Sequence, residues 1–258
     1  MYKIITNQYH KNMNTTYEVW KTEALANSYL SGVRGAIPLA EQQIDVILRL
    51  IRNSQHQVEN VLDLGCGDGI LGRVILNEYP EAKGKFLDIS SIMIAAAKEG
   101  IGDNLARAEL IIQDYGFPNW VDVFPQDLRF DVIVSGFSIH HQPDVRKKEI
   151  YQEIYNLLKP GGLFLNLEHV ASQSKWGESL FDELFVDALY SFHHSQGSTK
   201  SKEELAQQYY NRSDKNANIL APTEMQCDWL REIGFINVDC FLKIFEIALF
   251  GGIRPLSP

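Results

Sequence analysis

The stretch VLDLGCGDG, residues 61–69, runs from an apolar segment into three glycines at alternate positions, with Asp63 just ahead of them. Glycines at 65, 67 and 69 permit a tight turn and let a ligand approach the backbone closely. A helix that follows such a turn opens with unpaired N–H groups. A dinucleotide loop is written G-x-G-x-x-G and holds its pyrophosphate on that helix N-terminus. Here the third glycine arrives one residue early, and Asp63 is poor company for a diphosphate but good company for an ammonium group.

Outward from this loop, short apolar runs alternate with helical patterns. Strands are expected at Val61 to Leu64, Lys85 to Asp88, Leu110 to Asp114, Phe130 to Gly136 and Leu163 to His169. Between them Ile70, Leu71, Val74 and Ile75 recur at helix spacing, as do Ile150, Ile154, Leu157 and Leu158. Strands that alternate with helices of this length predict right-handed βαβ units and a parallel sheet. Near the end, Thr223 and Gln226 suggest a capping box for a helix that carries Trp229, Leu230 and Ile233 and stops at Gly234. Two apolar runs follow, around Ile236 to Leu242 and Ile244 to Phe250, with no room for a helix between them, so they are expected to pair antiparallel.

Two segments lie outside that core. Residues 17 to 53 read as helical, with Ile44, Ile47, Leu48 and Ile51 on one face. Residues 172 to 222 carry an apolar stripe from Leu180 and Phe181 to Leu189 and Phe192, and Ser201 with Glu204 offers another capping box. An insertion at the carboxyl edge of a parallel sheet sits where ligands bind, which suggests a lid; covering the sheet or a second subunit is the plainer use. The expected organisation is one domain over 1–258, with a helical cap (1–55), a binding core (56–171), the insertion (172–222) and a final helix and strand pair (223–258).

The 258 residues are 45% hydrophobic and 22% charged, ordinary for a globular chain, and carry a formal net charge of -9. That charge argues against a surface built to neutralise a phosphate backbone, so nucleic acid ranks low as a partner. Cys66, Cys227 and Cys240 have no spacing of a zinc or redox motif, and no metal is expected. No apolar stretch has the length of a signal peptide core or a membrane span, so a cytoplasmic protein with no membrane partner is the simplest expectation. A monomer or a homodimer fits equally well.

Asp88 sits where a dinucleotide enzyme also keeps a ribose-binding acid, so it does not discriminate. Asp63 before the loop and Asp114 in LIIQD do. Three carboxylates at successive strand tips describe a ligand with an amine, a ribose and an adenine, and no phosphate. VLDLGCGDG (61–69), FLDIS (86–90), QDY (113–115), FDVIVSGFSIHH (130–141) and LLKPGGLFL (157–165), taken in order, resemble a class I S-adenosylmethionine-dependent methyltransferase of the small-molecule type.

The resemblance implies an α/β fold: a Rossmann-like, seven-stranded, mostly parallel sheet with an antiparallel last strand and helices on both faces. It implies S-adenosylmethionine as cofactor and S-adenosylhomocysteine as product. Asp63, Gly65 and Gly67 would contact the methionine end, Asp88 the ribose, Ile89 an adenine face, and Asp114 with Tyr115 the adenine edge. Ser135 would lie beside the methionine moiety, and Arg34 could reach its carboxylate or be an ordinary surface arginine.

A sulfonium already activates its methyl group, so such a site must mainly place a nucleophile in line and, where needed, take its proton. His140, His141, Glu168 and His169 fall at the right strand ends for that, with a structural role as the plainer alternative for each. His193 and His194 follow the insertion's stripe beside Tyr190 and Phe192 and matter only if the insertion faces the acceptor. The acceptor is expected to be small and partly apolar, methylated at oxygen, nitrogen or carbon. Three competing readings stay open: a nicotinamide oxidoreductase, a cofactor-binding protein that only regulates a partner, and unusual chemistry on the cofactor itself.

Overall fold

In a computed structural model, which describes residues 16–54, 57–212 and 214–256, the described residues contain seven strands. They are β1 (Asn60–Leu64), β2 (Lys83–Asp88), β3 (Ala108–Ile112), β4 (Phe130–Gly136), β5 (Leu158–His169), β6 (Ile236–Ile244) and β7 (Ile247–Ile253). They form one sheet in the order β3-β2-β1-β4-β5-β7-β6. Strands β1 to β5 pair in parallel, whereas β7 runs antiparallel to both β5 and β6. The strand order reverses between β1 and β4, and in open α/β sheets that switch point opens a crevice at the strands' carboxyl ends.

Alternation along the strands sends side chains to two cores. Leu62, Leu64, Leu87 and Ile133 pack with α5 (Asp144–Leu157) and α8 (Thr223–Ile233) on one face. Val61, Phe86, Val132 and Val134 pack with α2 (Ala40–Ser54), α3 (Ile70–Glu78) and α4 (Ser91–Ile101) on the other. By this period of two, Asp63 shares its face with Val61 and lies under α3.

Ahead of α2, the chain forms short helical turns around α1 (Glu23–Ser28). The insertion folds as α6 (Lys175–Ser195) and α7 (Lys202–Tyr210). Ser174 caps α6 by accepting the Gly177 N–H, and Ser201 and Glu204 form the expected capping box on α7. A third cluster, with Ala36, Val186, Leu189 and Tyr209, joins the N-terminal turns to α6 and α7. There a Cβ on Gly35 would lie 2.2 Å from the Phe192 ring, so cap and insertion meet at van der Waals contact.

Two local expectations are corrected. Thr223 and Gln226 form no capping box: Pro222 is the N-cap, and the Gln226 carboxamide is drawn into the core, where it accepts from Tyr151 Oη and donates to the Ala221 carbonyl. Strand β3 stops at Ile112 rather than Asp114, because Asp114 Oδ1 accepts the Gly116 N–H and turns the chain. Gly234 closes α8 in the left-handed conformation, as expected.

Candidate active site

The crevice at the switch point is a cavity of about 660 Å³, roofed by the N-terminal turns and by α6 and α7. Its floor comes from the glycine loop and the tips of β2 and β4, and its far wall from the loop around His140 and the insertion. Gly65, with φ +67°, passes so close to the β4 tip that a Cβ would lie 1.8 Å from Ser138 Oγ. Gly67, with φ +54°, has open space where a Cβ would be, so its backbone borders the cavity directly.

Asp88 stands at the end of β2 and lines the cavity. Its Oδ2 accepts the Gly67 N–H at 2.9 Å and its Oδ1 the Ser90 N–H at 2.8 Å. Burial pushes its pKa up to about 6 despite these bonds. The Ile89 N–H also bonds to this carboxylate, which with about four acceptor sites still has capacity to share with a ribose. Ile89, Asp114 and Tyr115 line the same end. Tyr17 donates to Asp114 Oδ2 at 3.3 Å, and the Tyr115 and Ser138 hydroxyls are 2.5 Å apart.

Two residues expected at the cofactor do not border the main cavity. Asp63 is buried beneath the loop, its Oδ2 accepting the Gly72 N–H of α3 at 2.8 Å, and it borders a small side pocket rather than the main cavity. Ser135 is wholly buried and donates to the Leu64 carbonyl across β4 and β1, so its neighbours Gly136, Phe137 and Ser138 border the cavity instead. The side chain of Arg34 lies outside the described residues.

Burial pushes Asp63 up to about 8, with the Asp68 and Asp88 carboxylates adding to the effect. Its unfolded value lies near about 4, so between those values the folded chain holds a proton that the unfolded chain has lost. Stability from this group is therefore complete at low pH and falls as pH rises toward 8, by up to about 1.4 kcal/mol per pH unit. Asp63→Asn keeps an acceptor for Gly72 and removes the titration. Melting curves of the cofactor-free protein between pH 5 and 8 should show the variant gaining on wild type as pH rises; parallel curves would exclude a protonated Asp63.

At the other end, His140 and Glu168 meet. The His140 ring donates from Nδ1 to Glu168 Oε1 at 2.5 Å, and its backbone N–H donates to Oε2 at 3.0 Å. Glu168 is fully buried and does not border the cavity; it stands behind His140, which does. Burial pushes Glu168 up to about 7 and drives the His140 imidazole well below the usual histidine range. The imidazole is thus neutral at neutral pH: the carboxylate holds Nδ1–H, Nε2 is the proton-accepting nitrogen, and the Asn218 side chain reaches the same ring.

His141 donates from Nδ1 to the Ala217 carbonyl at 3.2 Å, and its ring centroid is 3.9 Å from that of His140. His169 also borders the cavity but has a different partner: its Nε2 donates to Glu246 Oε2 at 3.0 Å. Burial opposes the charge on Glu246, yet hydrogen bonds from His169 and Ser172 outweigh it and hold the carboxyl below its ordinary range. His193 borders the cavity, where Gly32 faces its ring, whereas His194 is exposed beside Tyr190.

Residues 61–162 match a family model described as a methyltransferase domain, and the fold aligns with an O-methyltransferase family protein from Burkholderia thailandensis. The fold is that of a class I S-adenosylmethionine-dependent methyltransferase. The Burkholderia methyltransferase superposes with a TM-score of 0.64 at 18% identity, over 92% of this chain and 60% of that one. Malonyl-[acyl-carrier protein] O-methyltransferase 2 of Ilyobacter polytropus is 32% identical over 46% of this chain and 42% of its own length. This chain therefore spans less than half of that methyltransferase. Carboxy-S-adenosyl-L-methionine synthase of Nautilia profundicola is 21% identical over 88% of this chain and 91% of its own.

The candidate site includes residues that pattern reading passed over. Tyr17 and Trp20 enter from the N-terminal turns, Arg212 from the end of α7, and Glu246 from the turn between β6 and β7. Glu246 had a signal, as a lone acid in the apolar run IFEIALF. Arg212 had none.

Proposed function

We propose that this chain transfers a methyl group from S-adenosylmethionine to an oxygen, nitrogen or carbon nucleophile of a small acceptor, with His140 as proton acceptor. One observation carries the reading: a single cavity is lined by the Asp88 and Asp114 carboxylates and by His140, with Glu168 behind the His140 ring. Bound S-adenosylmethionine would supply an electrophilic methyl carbon on a sulfonium and depart as neutral S-adenosylhomocysteine. Asp88 takes the ribose hydroxyls, Ile89 packs on the adenine, and Asp114 with Tyr115 holds its edge. Gly65 and Gly67 give the methionine end close backbone contact. His140 Nε2 receives the acceptor's proton as the bond to carbon forms, and Glu168 steadies the imidazolium that results. The roof of α6 and α7 keeps water from the reacting atoms.

A small acceptor is favoured over a nucleic acid by the net charge of -9 and by that roof. No helix among the described residues is long and apolar enough to cross a membrane.

A second reading keeps the pocket and changes the chemistry on the cofactor, supported by the end-to-end match to the carboxy-S-adenosyl-L-methionine synthase. Purified protein titrated calorimetrically with S-adenosylmethionine, S-adenosylhomocysteine and NAD should bind the first two and not the third. Mass spectrometry of the nucleoside after incubation with candidate acceptors then separates the chemistries. S-adenosylhomocysteine as product supports methyl transfer, a heavier sulfonium supports the second reading, and NAD binding alone overturns both.

A further inference from the structure

We propose that the acceptor is an aromatic carboxylate whose anionic end is held by Arg212 and Trp20. This rests on the proposed methyltransferase reading and names the class of molecule that its distal pocket takes. Asp88 and Asp114 line the cavity at the strand tips, whereas its bases, Arg212 and Lys200, come from the insertion, with Asp214 beside Arg212. The Arg212 charge reaches His140 and contributes to keeping its imidazole neutral. A group bound at Arg212 is therefore in electrostatic range of the proposed base.

Arg212 is fixed and only partly used. Its Nη1 donates to the Tyr209 carbonyl at 2.8 Å, and its guanidinium lies 4.3 Å from the centre of the Tyr209 ring. Asp214 approaches Nε at 3.6 Å, too long for a strong hydrogen bond. The Tyr209 side chain also bonds to the guanidinium; of its five N–H groups these contacts engage at most three, and the planar fork that remains suits a carboxylate.

An independent observation points to the same ligand chemistry. The indole Nε1–H of Trp20 is buried without a hydrogen-bond partner, and Trp20 lines this cavity. A buried orphan donor costs about 1–3 kcal/mol, a cost that an acceptor-rich ligand removes. The helical turn that carries Trp20, Thr16–Lys21, packs on Lys215–Ala217, just beyond Arg212. Aromatic rings line the space between the ends: Phe137 from the β4 tip, His141, and Phe181 and Phe185 from α6. Rings of this kind favour a flat, apolar body.

The test uses the full chain saturated with S-adenosylhomocysteine and two matched pairs of probes. These are 4-hydroxybenzoate with 4-hydroxybenzamide, and indole-3-acetate with indole-3-acetamide, each titrated by calorimetry. At least one acid should bind about tenfold or more tightly than its amide, the size expected of one charge-assisted hydrogen bond. Arg212→Gln should erase that preference, Arg212→Lys restore part of it, and Trp20→Phe reduce it. S-adenosylhomocysteine affinity should be unchanged in all three variants, which also verifies that they fold. Equal binding of acid and amide, no binding of either, or a preference that survives Arg212→Gln overturns the proposal. Failure of S-adenosylhomocysteine to bind wild type overturns instead the methyltransferase reading beneath it.

Discussion

Alanine at position 88 is expected to weaken S-adenosylmethionine binding at least a hundredfold. Asp88 is the acceptor for two ribose hydroxyls in the proposed pose, and hydrogen bonds to a charged group contribute about 1.5–3 kcal/mol each. Losing both exceeds the roughly 2.7 kcal/mol that a factor of one hundred requires. The variant also frees the Gly67 and Ser90 N–H groups, which Asp88 holds at 2.9 and 2.8 Å, so the loop loses its anchor together with the ligand contact. Asp88→Asn keeps one acceptor oxygen and should fall between. Because burial lifts the carboxyl to about 6, wild-type affinity should itself decline as pH drops through that value, and Asp88→Asn should flatten the dependence. Near-wild-type affinity in Asp88→Ala would place the nucleoside elsewhere.

The second large effect is on turnover. His140→Ala should lower kcat by about 10² to 10⁴, the usual contribution of a positioned base, with S-adenosylhomocysteine affinity held. The pH profile identifies the pair. Glu168 is raised to about 7 and is needed as a carboxylate, so kcat at saturating cofactor should rise with pH through about 7 and level above it. Activity from this group is thus present above the raised value and is lost as pH falls through it. Glu168→Gln should remove that inflection, since the amide does not titrate. An acceptor that is already an anion needs no base, so an unchanged rate in His140→Ala would show that positioning alone suffices.

The cofactor end was the more legible part of the sequence. Strand ends, the glycine loop and Asp88 follow from local rules, because a turn needs glycine where φ is positive and a strand tip must project its last side chain. Asp63 shows where local rules stop: its place beside the loop is visible in the sequence, but the face it occupies depends on pairing with β2 and β4 and on α3 above it. Ser135 misled for the same reason, since one residue along a strand changes the side it faces. The acceptor end depends on contacts between distant segments. Arg212 and Trp20 reach one cavity, Glu246 stands behind its His169, and no local periodicity links positions 20, 212 and 246.

The reversed strand has a consequence for how the molecule is made. Strand β6 leaves the ribosome before β7, yet β7 lies between it and β5. Until residues 247–253 emerge, the outer hydrogen-bonding edge of β5 is bare, and such edges recruit other chains. The same residues sit beside Glu246, the partner of His169. A ribosome stalled near residue 240 would therefore hold a nascent chain with its glycine loop complete, its acceptor pocket unfinished and an open strand ready to aggregate.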